Sequence, residues 1–121
     1  MNVRFLVNPT AGRGKAGVAL EVIEPRVGRE NVVVTGGAEH LRHETRQAIS
    51  DGVKRVVVVG GDGSAHQVVQ ELAGEHTALA VLPLGSGNDL AATLGMPSDL
   101  RQAVEMVLNA PVRAMDLGRV G

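Results

Sequence analysis

"VVVVGGDGSAHQVV", residues 56–69, is the stretch on which the fold turns. Four β-branched residues with no polar alternation read as a strand covered on both faces, not one with a wet side. Two glycines, an aspartate, a third glycine and a serine follow at once, and helix-like spacing then begins. A single carboxylate thus stands between residues with almost no side chain, directly beyond the end of a buried strand.

Working outward, the same alternation recurs. Val3–Val7 is a short apolar run, followed by the turn-rich residues 8–17, "NPTAGRGKAG". Ala16–Ile23 has helical spacing, and a stop is expected near Pro25. Asn31–Thr35 reads as a second strand closed by Gly36-Gly37, and Glu39–Ser50 as a surface helix ended by Asp51-Gly52. After the third strand, Val56–Val59, a helix is expected over Ser64–Ala73, ended by Gly74. Residues 78–85 form the fourth strand. Helices over Asn88–Leu94 and Ser98–Leu108, the second capped by Ser98, and a fifth strand over Val112–Leu117 complete the reading. Continuous apolar strands alternating with helices predict an α/β fold, a mainly parallel sheet covered on both faces in three α/β/α layers.

The 121 residues suffice for one domain with a real core. A formal net charge of −1, with no Trp or Tyr to stack on a base, argues against a nucleic-acid partner. There is no cysteine, which excludes disulfides and thiolate metal sites. No apolar run approaches the roughly 18 residues of a membrane span. The start, "MNVRFLVN", reads as a strand and not as a signal peptide, so the expected location is the cytoplasm. Phe5 is the only aromatic, leaving the core to Val, Leu, Ile, Ala and Met.

In sheets of this kind ligands bind beyond the carboxyl ends of the strands. Those ends carry Asn8–Gly14, Thr35–Gly37, Gly60–Ser64 and Leu84–Asp89, so the glycine-rich segments fall on one rim. Glycines there admit a ligand close to backbone N–H groups, and each following helix adds its positive end, which together make a phosphate cradle. The plain alternative is that the glycines only close strand–helix turns.

Gly12-Arg13-Gly14-Lys15-Ala16-Gly17 is a literal G-x-G-x-x-G, but residues 8–11 separate it from its strand, and the second strand ends in Thr35 where a ribose-binding acid belongs. A Walker P-loop fails as well: Pro9 stands where its first glycine should be, and no Ser or Thr follows Lys15. Asp62 has two readings. It addresses a phosphate-bound Mg²⁺, or it belongs to an Asp-Gly turn with Ser64 as N-cap.

"GGDGS" at Gly60–Ser64 resembles the G-G-D-G-[ST] signature of diacylglycerol kinases, sphingosine kinases, NAD kinases and 6-phosphofructokinases. "PLGSGNDLA" at Pro83–Ala91 is similar to the P-x-G-[TS]-x-N-D-[FL]-A motif of the diacylglycerol and sphingosine kinases, and the phosphofructokinase segment P-x-T-I-D-N-D is absent. "NPTAGRGKA" at Asn8–Ala16 and "TGGAEH" at Thr35–His40 resemble two further nucleotide-loop segments of the lipid kinases.

The resemblance implies an ATP-binding domain over residues 1–121, with ATP and Mg²⁺ as cofactors and a β-rich second domain, absent from this chain, holding the lipid and the catalytic base. Asn8, Pro9, Thr10, Ala11 and Gly12 would border the ATP phosphates, with Thr35 near the nucleotide. Gly60, Gly61, Asp62, Gly63, Ser64, Ala65 and His66 would form the central phosphate loop. Ser86 would contribute a hydroxyl and Asn88 would shape the same cleft; Asp62, Asp89 and Asp116 would converge on the metal, with Asp62 the catalytic aspartate. Two departures stand out: Gln67 occupies a position where the family carries glutamate, and Ser64 and Ser86 replace threonine. His66 either touches nucleotide or lies on the helix surface. His40, His43 and Glu44 share a helical face without a third rigid ligand, and Arg42 and Arg46 are expected to pair with Glu39 and Glu44.

The function expected is therefore the nucleotide-binding part of an ATP-dependent lipid kinase, phosphorylating a lipid hydroxyl at a transiently contacted membrane surface and inactive without its second domain. Self-association over an uncovered apolar face is a further expectation. The alternatives are a non-catalytic nucleotide-binding module and a fragment of another GGDG kinase such as NAD kinase.

Overall fold

In a computed structural model of the chain, residues 2–10, 15–83 and 100–109 are described, without the side chains of Lys15, Asp62 and Pro83. Four strands, β1 (Val3–Val7), β2 (Val32–Val34), β3 (Arg55–Gly60) and β4 (Ala78–Pro83), alternate with helices α1 (Lys15–Val27), α2 (Ala38–Ser50) and α3 (Asp62–Leu72), and helix α4 (Leu100–Asn109) follows. The strands form one sheet in the order β2-β1-β3-β4, and every pairing is parallel. The expected three-layer α/β/α architecture is present.

Side-chain alternation along the strands divides the core in two. Val57 and Val59 of β3, with Val3, Phe5 and Val7 of β1, pack under α1 and α4 against Ala19, Ile23 and Val104. Val56 and Val58, with Leu6, pack on the other face beneath α2 and α3 against Leu41, Ala48 and Val68. All six residues of β3 are buried, which is why its valines show no polar alternation. Phe5 is fully buried at the centre of the first cluster. No helix among the described residues is long and apolar enough to cross a membrane.

Three boundaries differ from expectation. Helix α1 runs through Pro25 to Val27. A proline in the last turn withdraws only the N–H that would bond the carbonyl of Glu21, and Glu21 is an exposed residue, so the loss falls on the solvent side of the helix. Helix α3 begins at Asp62, two residues before Ser64, with Gly61 as its N-cap. Asp62 and Gly63 are therefore the first turn of a helix, not a turn ahead of one, and Ser64 is not the cap. Strand β2 is shorter than expected and partly exposed, as a strand at the sheet's edge can be. The helix expected at Asn88–Leu94 and the strand at Val112–Leu117 lie outside the described residues.

Candidate functional site

Strand order reverses between β1 and β3. From β1 the chain leaves through α1 on one face to reach β2, and from β3 it leaves through α3 on the opposite face to reach β4. The two exit loops diverge, opening a crevice beyond the carboxyl ends of these strands, where open parallel sheets bind ligands. A cleft of about 490 Å³ occupies this position.

Asn8 organises its floor. Its backbone N–H continues the ladder to the Val59 carbonyl at 2.9 Å. Its Nδ2 donates to Ser64 Oγ at 3.2 Å, tying the β1 loop to the first turn of α3. Its Oδ1 accepts from the N–H and the hydroxyl of Thr10, at 3.0 and 2.8 Å, and so closes an Asx turn through Pro9. Gly60 is where these elements meet most closely: a Cβ there would stand 3.3 Å from Asn8 Cβ and 3.3 Å from Ser64 Oγ. A side chain there would need Asn8 or Ser64 to give by a few tenths of an ångström, so glycine suits the close approach.

Two helices aim their N-termini at this cleft, and neither has a side-chain cap. Gly61 caps α3 and Gly37 caps α2, and among the described residues no side chain bonds the first-turn amides of either helix. Gly37 has φ +135°, a conformation that a residue with a side chain rarely adopts. Gly63 and Ser64 in the first turn of α3, and Ala38 in that of α2, line the cleft. Their orphan N–H groups and the positive ends of two helices make it receptive to anions. Among the described residues no heavy atom comes within 4 Å of where Cβ atoms at Gly61 and Gly63 would stand, so none of them blocks approach to the backbone there.

The wall opposite is the turn from β2 into α2. Thr35 is buried; its N–H and its hydroxyl both donate to the Val7 carbonyl, at 2.9 and 3.3 Å. The N–H of Gly36 donates to His40 Nδ1 at 2.8 Å, so the second ring nitrogen carries the proton and faces Glu44 Oε2 at 3.5 Å. At the rim, Arg42 Nη1 donates to Gln67 Oε1 at 2.6 Å and Nη2 to Glu39 Oε1 at 2.8 Å.

The structure thus brings together Asn8, Pro9, Thr10, Thr35, Gly63 and Ser64 of the residues expected from sequence. Gly60 and Gly61 shape the turn beneath them, and the backbone of Asp62 opens α3. Ala65 is helical, its N–H bonded to the Gly61 carbonyl at 3.2 Å. His66 is exposed on the helix and meets Gln70 Nε2 at 3.1 Å. Ala11, Gly12, Ser86, Asn88, Asp89 and Asp116 lie outside the described residues, as does the side chain of Asp62. Among the described residues no three His, Cys, Asp or Glu come together as a metal site; on the His40–His43–Glu44 face the ring Nε2 atoms of His40 and His43 lie 3.5 and 4.0 Å from Glu44 Oε2. Arg42 pairs with Glu39 as expected, but Arg46 reaches across to Glu71 Oε1 at 2.9 Å and not to Glu44. Both guanidinium groups serve the α2–α3 contact.

Sequence reasoning put Thr35–Gly37 on the ligand rim but named only Thr35 of this segment as a site residue. Gly36, Gly37, Ala38 and Leu41 line the cleft as fully as the β3 loop does. The signal was present in the glycine pair that follows β2, but a glycine pair read alone is only a turn.

Comparison with known proteins bears on the family and the fold. The profile of the diacylglycerol kinase catalytic domain matches residues 2–120. A diacylglycerol kinase of Mycobacterium tuberculosis is 34% identical over 123 residues, covering 98% of this chain and 40% of its own length. A probable lipid kinase, YegS-like, of Chromohalobacter salexigens is 41% identical over 80 residues, covering 63% of this chain and 26% of its own. The crystal structure of a putative diacylglycerol kinase from Bacillus anthracis str. Sterne superposes with a TM-score of 0.74 at 27% identity, over 90% of this chain and 39% of that one. The chain therefore spans about two fifths of the length of relatives that it matches end to end.

Proposed function

The chain belongs to the diacylglycerol kinase catalytic-domain family, and we propose that its cleft is the ATP-binding half of a kinase that phosphorylates a lipid hydroxyl. The observation that carries this reading is the pair of uncapped helix N-termini facing one crevice at the switch point of the sheet. A polyphosphate supplies the acceptors that those amides lack. Phosphoryl transfer asks little covalent chemistry of a protein. Positioning and stabilisation of spread negative charge contribute most, and this is what the cleft's geometry offers.

Asn8 and Ser64 act as positioning residues that hold the β1 loop against α3, and Gly63 and Ser64 offer backbone N–H groups to phosphate. Mg²⁺ would neutralise phosphate charge when bound. Its proposed ligands are Asp62, Asp89 and Asp116, whose side chains lie outside the described ones. The lipid acceptor and the proton acceptor belong to the remaining length that relatives carry. Donor and acceptor would meet in the cytoplasm, at a transiently contacted membrane surface.

Calorimetry with Mg·ATP on this chain tests the reading. Binding is expected with a Kd in the range of roughly 1 μM to 1 mM. Asp62→Asn should weaken it by about tenfold or more while the circular dichroism stays unchanged. A chain that keeps its fold and releases no heat with Mg·ATP sinks the proposal. The acceptor class is read by transfer of a labelled γ-phosphoryl group to diacylglycerol, sphingosine or NAD, using a longer protein that contains this chain.

A further inference from the structure

We infer that Gln67 is a specificity-determining residue of the cleft, an amide held by Arg42 so that its Nε2 donates a hydrogen bond to an acceptor atom of the bound nucleotide. The inference rests on the nucleotide reading above and goes one step further. Gln67 lines the cleft, one turn along α3 from Gly63 and Ser64. An amide has one accepting end and one donating end, and a guanidinium has only donors. With Arg42 Nη1 at 2.6 Å, the end of Gln67 facing Arg42 must be the oxygen. Arg42 also donates to Glu39 at 2.8 Å and is only 27% exposed, which restrains the guanidinium on the cleft side of α2. The amide orientation is thereby determined, and Nε2 is the end left over; it has no acceptor among the described residues.

Charge points the same way. Arg42 and Glu39 neutralise one another, and Gln67 adds none, so this rim presents a donor without a carboxylate to repel a polyphosphate. Glutamate at this position would still pair with Arg42 but would present only acceptors. Arg42 is a positioning residue, acting on the ligand through Gln67.

The test is calorimetry of Mg·ATP binding to the full chain, with thermal unfolding of each variant in parallel. Gln67→Glu keeps an acceptor for Arg42 and loses the donor; Gln67→Met loses the donor without adding charge. Both are expected to weaken binding about 5- to 20-fold, the range of one lost hydrogen bond. Arg42→Met, which lets the amide rotate, should cost about 2- to 5-fold, and Arg42→Lys, which retains a donor for Oε1, should recover most of it. Binding at wild-type strength by both Gln67 variants overturns the assignment and leaves the nucleotide site standing. Losses that merely follow the fall in unfolding midpoint across the set also overturn it, because a purely structural staple would behave that way. A folded wild-type chain that does not bind Mg·ATP overturns it together with the nucleotide reading.

Discussion

At the amino ends of the strands, side chains close what the backbone leaves open. Arg55, buried at the start of β3, donates to the Val107 carbonyl in the last turn of α4, where orphan carbonyls and the negative end of the helix favour a cation. Arg4 pairs with Asp51 at 3.1 Å, Asn2 accepts from the Lys54 N–H at 3.2 Å, and Thr77 donates to the Val53 carbonyl at 3.2 Å. Arg4 Nε is the one buried side-chain polar atom left without a partner among the described residues. At the carboxyl ends the practice is the reverse. Two helices begin on glycines, and among the described residues no side chain caps them and the cleft between is lined by small or neutral residues. One sheet thus has a closed edge that contributes stability and an open edge whose unmet hydrogen bonds are available to a ligand. A cap residue at Gly61 or Gly37 would favour the fold locally and compete with the ligand for the same amides.

The contrast can be broken most severely at Arg55. Arg55→Met removes a buried charged donor and leaves the Val107 carbonyl unpaired, at an expected cost of about 2–4 kcal/mol in denaturant unfolding. Mg·ATP affinity of the molecules still folded should be unchanged; a loss of affinity would show that the two edges are not independent.

Gly61→Asp tests the open edge from the other side. Gly61 has extended φ −109° and ψ −171°, and free space lies where its Cβ would go, so aspartate fits and can cap α3. The fold is expected to gain a few tenths of a kcal/mol, roughly the advantage of Asp over Gly at an N-cap. Mg·ATP binding should fall at least about tenfold, because a carboxylate then occupies the anion's place. A variant that is more stable and binds as before would remove α3 from the phosphate site.

The smallest effect belongs to the pair that joins α1 to α4 away from both edges. Arg26 donates to both carboxylate oxygens of Glu105, Nη2 to Oε1 at 3.1 Å, and these hydrogen bonds, with the guanidinium charge, hold the Glu105 carboxyl below its ordinary range. A depressed carboxyl contributes stability that is complete above the ordinary glutamate value and is lost as the pH falls through the lowered one. Glu105→Gln should therefore flatten the acid side of the stability profile slightly, and added salt should mimic it, since the pair is exposed. An acid limb identical in both proteins would show the pair to contribute nothing.

Much of this was legible along the chain because it depends on neighbours in sequence. Buried valines at residues 56–59, glycines at strand ends and helical spacing between them are local signals. Each locates an element within a few residues of where the structure has it. The boundaries that moved were settled by competition among hydrogen bonds. Ser64 is a good N-cap by type, but its hydroxyl is taken by Asn8, fifty-six residues away in sequence, and the helix starts earlier on glycine. Pro25 reads as a helix breaker, yet it falls in the last turn, where the one bond it withdraws belongs to an exposed residue, Glu21.

The sequence alone determined the alternation of strand and helix, the parallel sheet and the family, through apolar runs and glycine-bearing motifs that act over a few residues. Only the tertiary structure decided that α2 shares the site with α3, that Asn8 binds the first loop to the third helix, and that Arg42 orients Gln67. Each of these depends on which face of the sheet a helix crosses. That choice is made by packing between segments far apart in the chain, where no local pattern records it.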